Sequence, residues 1–152
     1  MTQRKINARD MIVEILDDDD TTYLTIENLA AVKPNKGENE EVADTTDYDS
    51  EGVHEHEVMQ RGATMEIEGH EKKDHLTGAL QPGRARVEEM AGESKVGADS
   101  LATIRFRHVM DTTWKIWRCT VTLGESGGGH NDKSAWAATF TKSGPTTTAA
   151  VS

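Results

Sequence analysis

With 152 residues, 35% of them hydrophobic and 5% aromatic, the chain has material for one domain with a thin core and long polar loops. Its net charge of −10 is uneven: residues 1–100 hold 24 acids and 11 bases, residues 101–152 three acids and six bases, and no Lys or Arg interrupts the nine acids between 38 and 57. This excludes the basic stripe of a nucleic-acid binder; the single Cys119 excludes an intramolecular disulfide; and no run approaches the ~18 apolar residues of a membrane span.

Met1 to Asp10 has no apolar h-region, so the expectation is a protein made and folded in a reducing cytoplasm, without a signal peptide. Met11–Leu16 is a strand-length apolar run closed by Asp17–Asp20. Thr22–Val32 alternates, with Leu24 and Ile26 on one face and Thr25 and Glu27 on the other, which predicts one half-buried strand ended by Pro34 and Gly37. Residues 33–51 read as a long polar loop, the kind that is either functional or disordered. Val53–Met59 and Ala63–Glu68 flank Gln60-Arg61-Gly62, which predicts a hairpin with Met65 and Ile67 on its core face.

Gln81–Ser94 changes period. Pro82 suits a first helical turn, and Val87, Met90 and Ala91 fall at helical spacing, so one short amphipathic helix is expected. Leu101–Val109, Trp114–Leu123 and Ser134–Lys142 carry the clearest two-residue alternation. They put Ile104 and Phe106, then Trp117, Cys119, Val121 and Leu123, then Trp136, Ala138 and Phe140, on buried faces. Gly124–Asp132 is a glycine-rich connection, and Ser143–Ser152 reads as a polar, mobile tail. The domain is expected to span residues 1–144, with 145–152 as a flexible C-terminal tail.

His54 and His56 would share one strand face, as two metal ligands do. A cupin-like site also needs a Glu four or five residues after the second His, and Gln60 and Arg61 stand there. A solvated strand face is the better reading. Gly127-Gly128-Gly129 lacks the P-loop pattern and joins two strands. No spacing marks a Ser/His/Asp or Cys/His site, and His108 beside Phe106 reads as a sheet-face histidine. Catalytic residues, cofactors and metals are therefore expected to be none.

Three stretches carry a resemblance: VMQRGATMEIE at Val58–Glu68, GALQPGRARVEEM at Gly78–Met90, and Trp114–Gly144 with GGGHND before SAWAATFTKSG. Together with the element order they resemble the tail tube (major tail) proteins of long-tailed bacteriophages, related in fold to the inner tubes of contractile tails and type VI secretion. The resemblance implies a mainly β protein, an antiparallel β-sandwich or partial barrel with one short flanking α-helix. It implies a homo-oligomer whose six copies close into rings that stack into the conduit for DNA ejection. DNA would pass through without specific binding and without membrane insertion. Tape measure, tail tip and tail terminator proteins would be partners, and the location the virion tail, assembled in the host bacterial cytoplasm. If each copy gives four strands to an inner barrel, strands ~4.8 Å apart and tilted ~40° make a backbone diameter of about 48 Å, wide enough for a duplex. Two alternatives stay open. One is an inner tube protein of a secretion or contractile injection system. The other is a small metal-binding β-sandwich enzyme using His54 and His56.

Two sets of residues follow as candidate surfaces. Glu55 and Glu57 share one strand face, and Glu66 and Glu68 share one face of the expected partner strand, so these four are candidates for the lumen. Arg105 and Arg107 occupy another polar sheet face and could offset them. The acids Glu38, Glu40, Glu41, Asp44, Asp47 and Asp49 make the long loop the candidate contact with a neighbouring copy.

Overall fold

The computed structural model describes residues 10–38, 40–44, 52–53, 56–130 and 134–151. Among the described residues ten strands, one α-helix and a short 3-10 turn at Gly97–Ser100 follow in chain order. The strands and helix are β1 Met11–Leu16, β2 Tyr23–Thr25, β3 Leu29–Asn35, β4 Glu41–Asp44, β5 His56–Gln60, β6 Thr64–His70, α1 Pro82–Met90, β7 Leu101–His108, β8 Thr113–Leu123, β9 Ala135–Lys142 and β10 Thr147–Ala150. The main sheet is antiparallel, in the order β2-β1-β7-β8-β9-β6-β3 with β10 added on β8, and β4 and β5 form a separate pair.

Two-residue alternation builds the core. Val13 and Ile15, Met65 and Ile67, Ile104 and Phe106, Trp117 and Cys119, and Trp136, Ala138 and Phe140 all turn inward and are buried in one cluster. Each fully buried aliphatic or aromatic side chain contributes roughly 1.5–3 kcal/mol. Phe106 meets Trp117 edge to face, with centroids 5.0 Å apart. The mainly β architecture with one flanking helix is therefore the one expected.

The sheet curls because its two ends are joined by only three residues of chain, Ile26 to Asn28. β2 lies at one end of the strand order and β3 at the other. Between them the Ile26 N–H donates to Val13 O (3.0 Å), and Asn28 O accepts from the His70 N–H (3.1 Å). The chain crosses from one edge to the other through Asn28 at φ 62°, a backbone that Asn tolerates far better than a β-branched residue. This breaks the single strand expected over Thr22–Val32. Gly69 sits under the crossing, where a Cβ would stand 2.7 Å from Asn28 O.

β8 is long enough to serve two partners on one edge. β9 pairs with Cys119–Leu123, and β10 pairs with Thr113–Ile116. The segment read as a mobile tail thus holds a strand. The covering helix is shorter than Gln81–Ser94. Pro82 opens it, the Gln81 side chain caps Arg84 N–H (3.0 Å), and Val87 and Met90 are buried. Gly83 is required by the close approach of α1, since a Cβ there would stand 2.3 Å from Thr25 O.

The expected hairpin across Gln60-Arg61-Gly62 does not form. β5 pairs with β4, while β6 pairs with β3 and β9. The reason lies in the two patterns. β6 buries Met65 and Ile67, and both its edges are taken. β5 is exposed along its whole length, so nothing holds it on the core sheet. The polar loop 33–51 is corrected by the same pairing, because Lys33–Asn35 extend β3 and Glu41–Asp44 form β4.

Candidate assembly surfaces

Glu66 and Glu68 stand exposed on the outer face of β6. Register places Lys33 of β3 and Thr139 of β9 directly across from Glu66, and Ala31 and Ala137 across from Glu68. Thr64 pairs with Thr141, and Thr120 and Thr122 of β8 continue these rows. The result is a four-strand face of mostly small and hydroxyl side chains carrying two glutamates, Lys33 and the exposed Arg118 of β8. Glu57 belongs to β5 in the separate pair, and Glu55 lies outside the described residues. The four glutamates therefore do not share a hairpin.

Arg105 and Arg107 are not on that face's four strands. They lie on β7, in the opposite wall of the curled sheet. Arg105 is held between the rings of Tyr23 (3.9 Å) and Trp114 (4.2 Å) and pairs with Glu14 at 2.6 Å. Arg107 stacks over Trp114 at 4.9 Å and donates to the carbonyls of Val109 and Asp111. Their charges are already engaged. Lys33 is the base that offsets Glu66.

Of the six loop acids, Glu38 accepts from Asn35 Nδ2 (3.0 Å) and Glu40 pairs with Arg61 (3.0 Å). Glu41 and Asp44 lie on β4. Asp47 and Asp49 fall outside the described residues. His54 also lies outside them, and His56 sits on the exposed β5. Among the described residues no group of three His, Cys, Asp or Glu is placed to hold a metal, and no helix is long and apolar enough to cross a membrane. His108 is a buried sheet histidine whose Nδ1 accepts from the Met110 N–H (3.2 Å). The Cys119 thiol is pushed up to about 12 by its burial, which leaves it a protonated core group.

The two ends of the sandwich differ in charge. At the end holding Leu16 and Tyr23, the β1–β2 connection carries Asp17, Asp18, Asp19 and Asp20 in succession. Asp19 folds this turn by accepting from the Thr21 and Thr22 N–H groups (both 2.9 Å) and from the Thr22 hydroxyl (2.7 Å). These bonds hold its carboxyl down to about 2. At the other end the two walls part into contiguous hollows of about 270 and 240 Å³ that share Lys36, Phe106 and Lys115. Arg61 and Lys142 join the rim, and Trp117 the floor. These four bases come from separate parts of the chain, so no spacing in the sequence announces them.

The fold has counterparts among solved structures. One is a chain from the tail of an empty gene transfer agent particle with C6 symmetry, at TM-score 0.69 and 22% identity, covering 96% of this chain and 100% of that one. The chain shares its fold. A second counterpart, from the virion of a native gene transfer agent particle, aligns at TM-score 0.66 and 20% identity over 96% of this chain and 100% of that one. No family model matches the sequence, and no curated protein is significantly similar to it.

Proposed function

We propose that this protein is the structural subunit of a phage-type tail tube, a non-enzymatic virion protein that assembles as stacked six-membered rings around a DNA conduit. The observation that carries the reading is the fold shared over nearly the whole chain with a tail subunit of a C6-symmetric particle. The thin core and the opposite charge of the two ends support repeated self-association, because a heterologous contact between unlike surfaces propagates into rings or filaments. The outer face of β3-β6-β9-β8, with Glu66 and Glu68, faces the lumen in this reading. The acids Glu38, Glu40, Glu41, Asp44, Asp47 and Asp49, with the β4–β5 pair, contact a neighbouring copy. Assembly takes place in the host cytoplasm, and tape measure, tail tip and tail terminator proteins complete the tail.

Negative-stain microscopy of concentrated purified protein tests this directly. Tubes or stacked rings with a central channel are expected, alone or with tail initiator proteins. A particle that stays monomeric by sedimentation at every concentration, and in the presence of those proteins, removes the reading.

A further inference from the structure

The acidic turn and the basic mouth lie at opposite ends of the same strands. β1 runs from Met11, which lines the mouth, to Leu16, which leads into Asp17–Asp20. The separation along the strand is roughly 17 Å. β7, antiparallel to β1, repeats the polarity, with Phe106 at the mouth and Leu101 at the far end.

Lys36 and Lys115 rim both hollows and have no carboxylate partner among the described residues. Beneath them lie the Phe106 and Trp117 rings, so the mouth combines unpaired cations with an apolar floor. At the opposite end Asp18 and Asp20 are exposed and form no ion pair there, while Asp19 is committed to holding the turn. The turn is thus preformed, and Asp18 and Asp20 have no ion-pair partner among the described residues. The acids Glu38 and Glu40 cannot play the same part end to end, because they lie beside Asn35 and Arg61, at the mouth's own end.

We infer that the mouth between the two walls, rimmed by Lys36 and Lys115, receives the Asp17–Asp20 turn of a second copy of this chain, so that copies join end to end. The inference deepens the assembly reading and rests on it. Two copies related by a shift along the strands bring unlike charges together at every junction. The same contact recurs at each step because neither end is consumed by joining its own kind. Two copies meeting mouth to mouth or turn to turn would set like charges together, which fixes the direction of growth.

Charge reversal at each end tests the contact. One variant carries Asp18→Lys with Asp20→Asn, where Asn suits the backbone at φ 59°. The other carries Lys36→Glu with Lys115→Glu. Circular dichroism confirms folding, and Lys36→Gln with Lys115→Gln replaces the second variant if reversal unfolds it. Each variant alone should associate about a hundredfold more weakly than the parent chain. Mixed together at low salt they should form a one-to-one complex of monomers or of rings, because the second variant's turn meets the first variant's intact mouth. Sedimentation velocity reads both results. A variant that polymerises like the parent, or a mixture that sediments as its separate components, overturns the inference. So does a loss of assembly confined to the mouth variant while the turn variant assembles like the parent, which would mean that another acidic partner fills the mouth. A parent chain that never polymerises would count against the tube reading, while the mixture still reports on the contact.

Discussion

Asp19 and Arg84 are the two side chains whose surroundings do the most local work. Arg84 enters the interior stacked 4.1 Å over Trp136 and pairs with Glu71 at 3.0 Å and Glu88 at 2.6 Å, so it pins α1 to the segment after β6 and to β9. Its Nε has no acceptor among the described residues, and the ring stacking in part compensates that burial. Asp19 works from the surface. Its depressed carboxyl is ionised in the folded turn below the 3.8 of an unperturbed aspartate. A group with a lowered folded pKa contributes stability that is present above its unfolded value and lost as pH falls through its folded value. The contribution should therefore fade between about pH 3.8 and about 2. Asp19→Asn keeps an oxygen acceptor and removes the titration. Urea midpoints should fall less steeply over that window in the variant than in the parent chain. Equal slopes would show that the turn's bonds carry no linkage.

At the scale of elements, the strands with two-residue alternation were legible, because burial of one face forces that pattern. Met11–Leu16, Leu101–His108, Thr113–Leu123 and Ala135–Lys142 match their expected runs within a residue or two. What alternation cannot report is the partner of a strand. Val58 and Met59 look as apolar as Met65 and Ile67, yet only the latter pair faces the core. Nor does alternation register a crossing. Leu24, Ile26 and Val32 read as one strand, and only the Asn28 backbone divides them between opposite edges. The tail was misread for a related reason. Thr146–Ala149 has no large apolar residue, and β10 exists because Thr147–Ala150 complete the edge of β8 that β9 leaves open. Deleting residues 145–152 should then expose that edge beside Trp114. Loss of a four-residue ladder is worth about 2 kcal/mol and should lower Tm by about 4–8 °C. A mobile tail would leave Tm unchanged, and differential scanning calorimetry distinguishes the two.

At the scale of the whole molecule, the exposed face proposed for the lumen was legible only in the β6 glutamates. Glu66 and Glu68 do share an exposed face, as their spacing required, but the partner strands that complete the face come from β3, β9 and β8 instead of β5. The face is therefore less acidic than four glutamates would make it. Lys33 stands across from Glu66, Arg118 of β8 adds a second base, and the remaining positions are mostly Thr, Ala and Asn. In the proposed tube, Glu68 is the acid without a base directly across from it. A ring repeats these charges in every copy, and Glu66 and Glu68 against Lys33 and Arg118 leave the lining close to neutral. DNA carries one charge per ~1.7 Å of duplex, and a near-neutral, hydroxyl-rich wall lets it pass without a cationic track to hold it. Glu66→Lys with Glu68→Lys turns a face of two acids and two bases into one of three lysines and Arg118. Both positions are solvent-facing, so the fold and the tubes should persist. DNA ejection from particles built with this variant should slow or stall, most at low salt, where the charges are least screened. The parent particles serve as the reference, and ejection is followed by release of a DNA-binding dye signal over time. Intact variant tubes that eject at the parent rate at low salt would place these glutamates away from the channel.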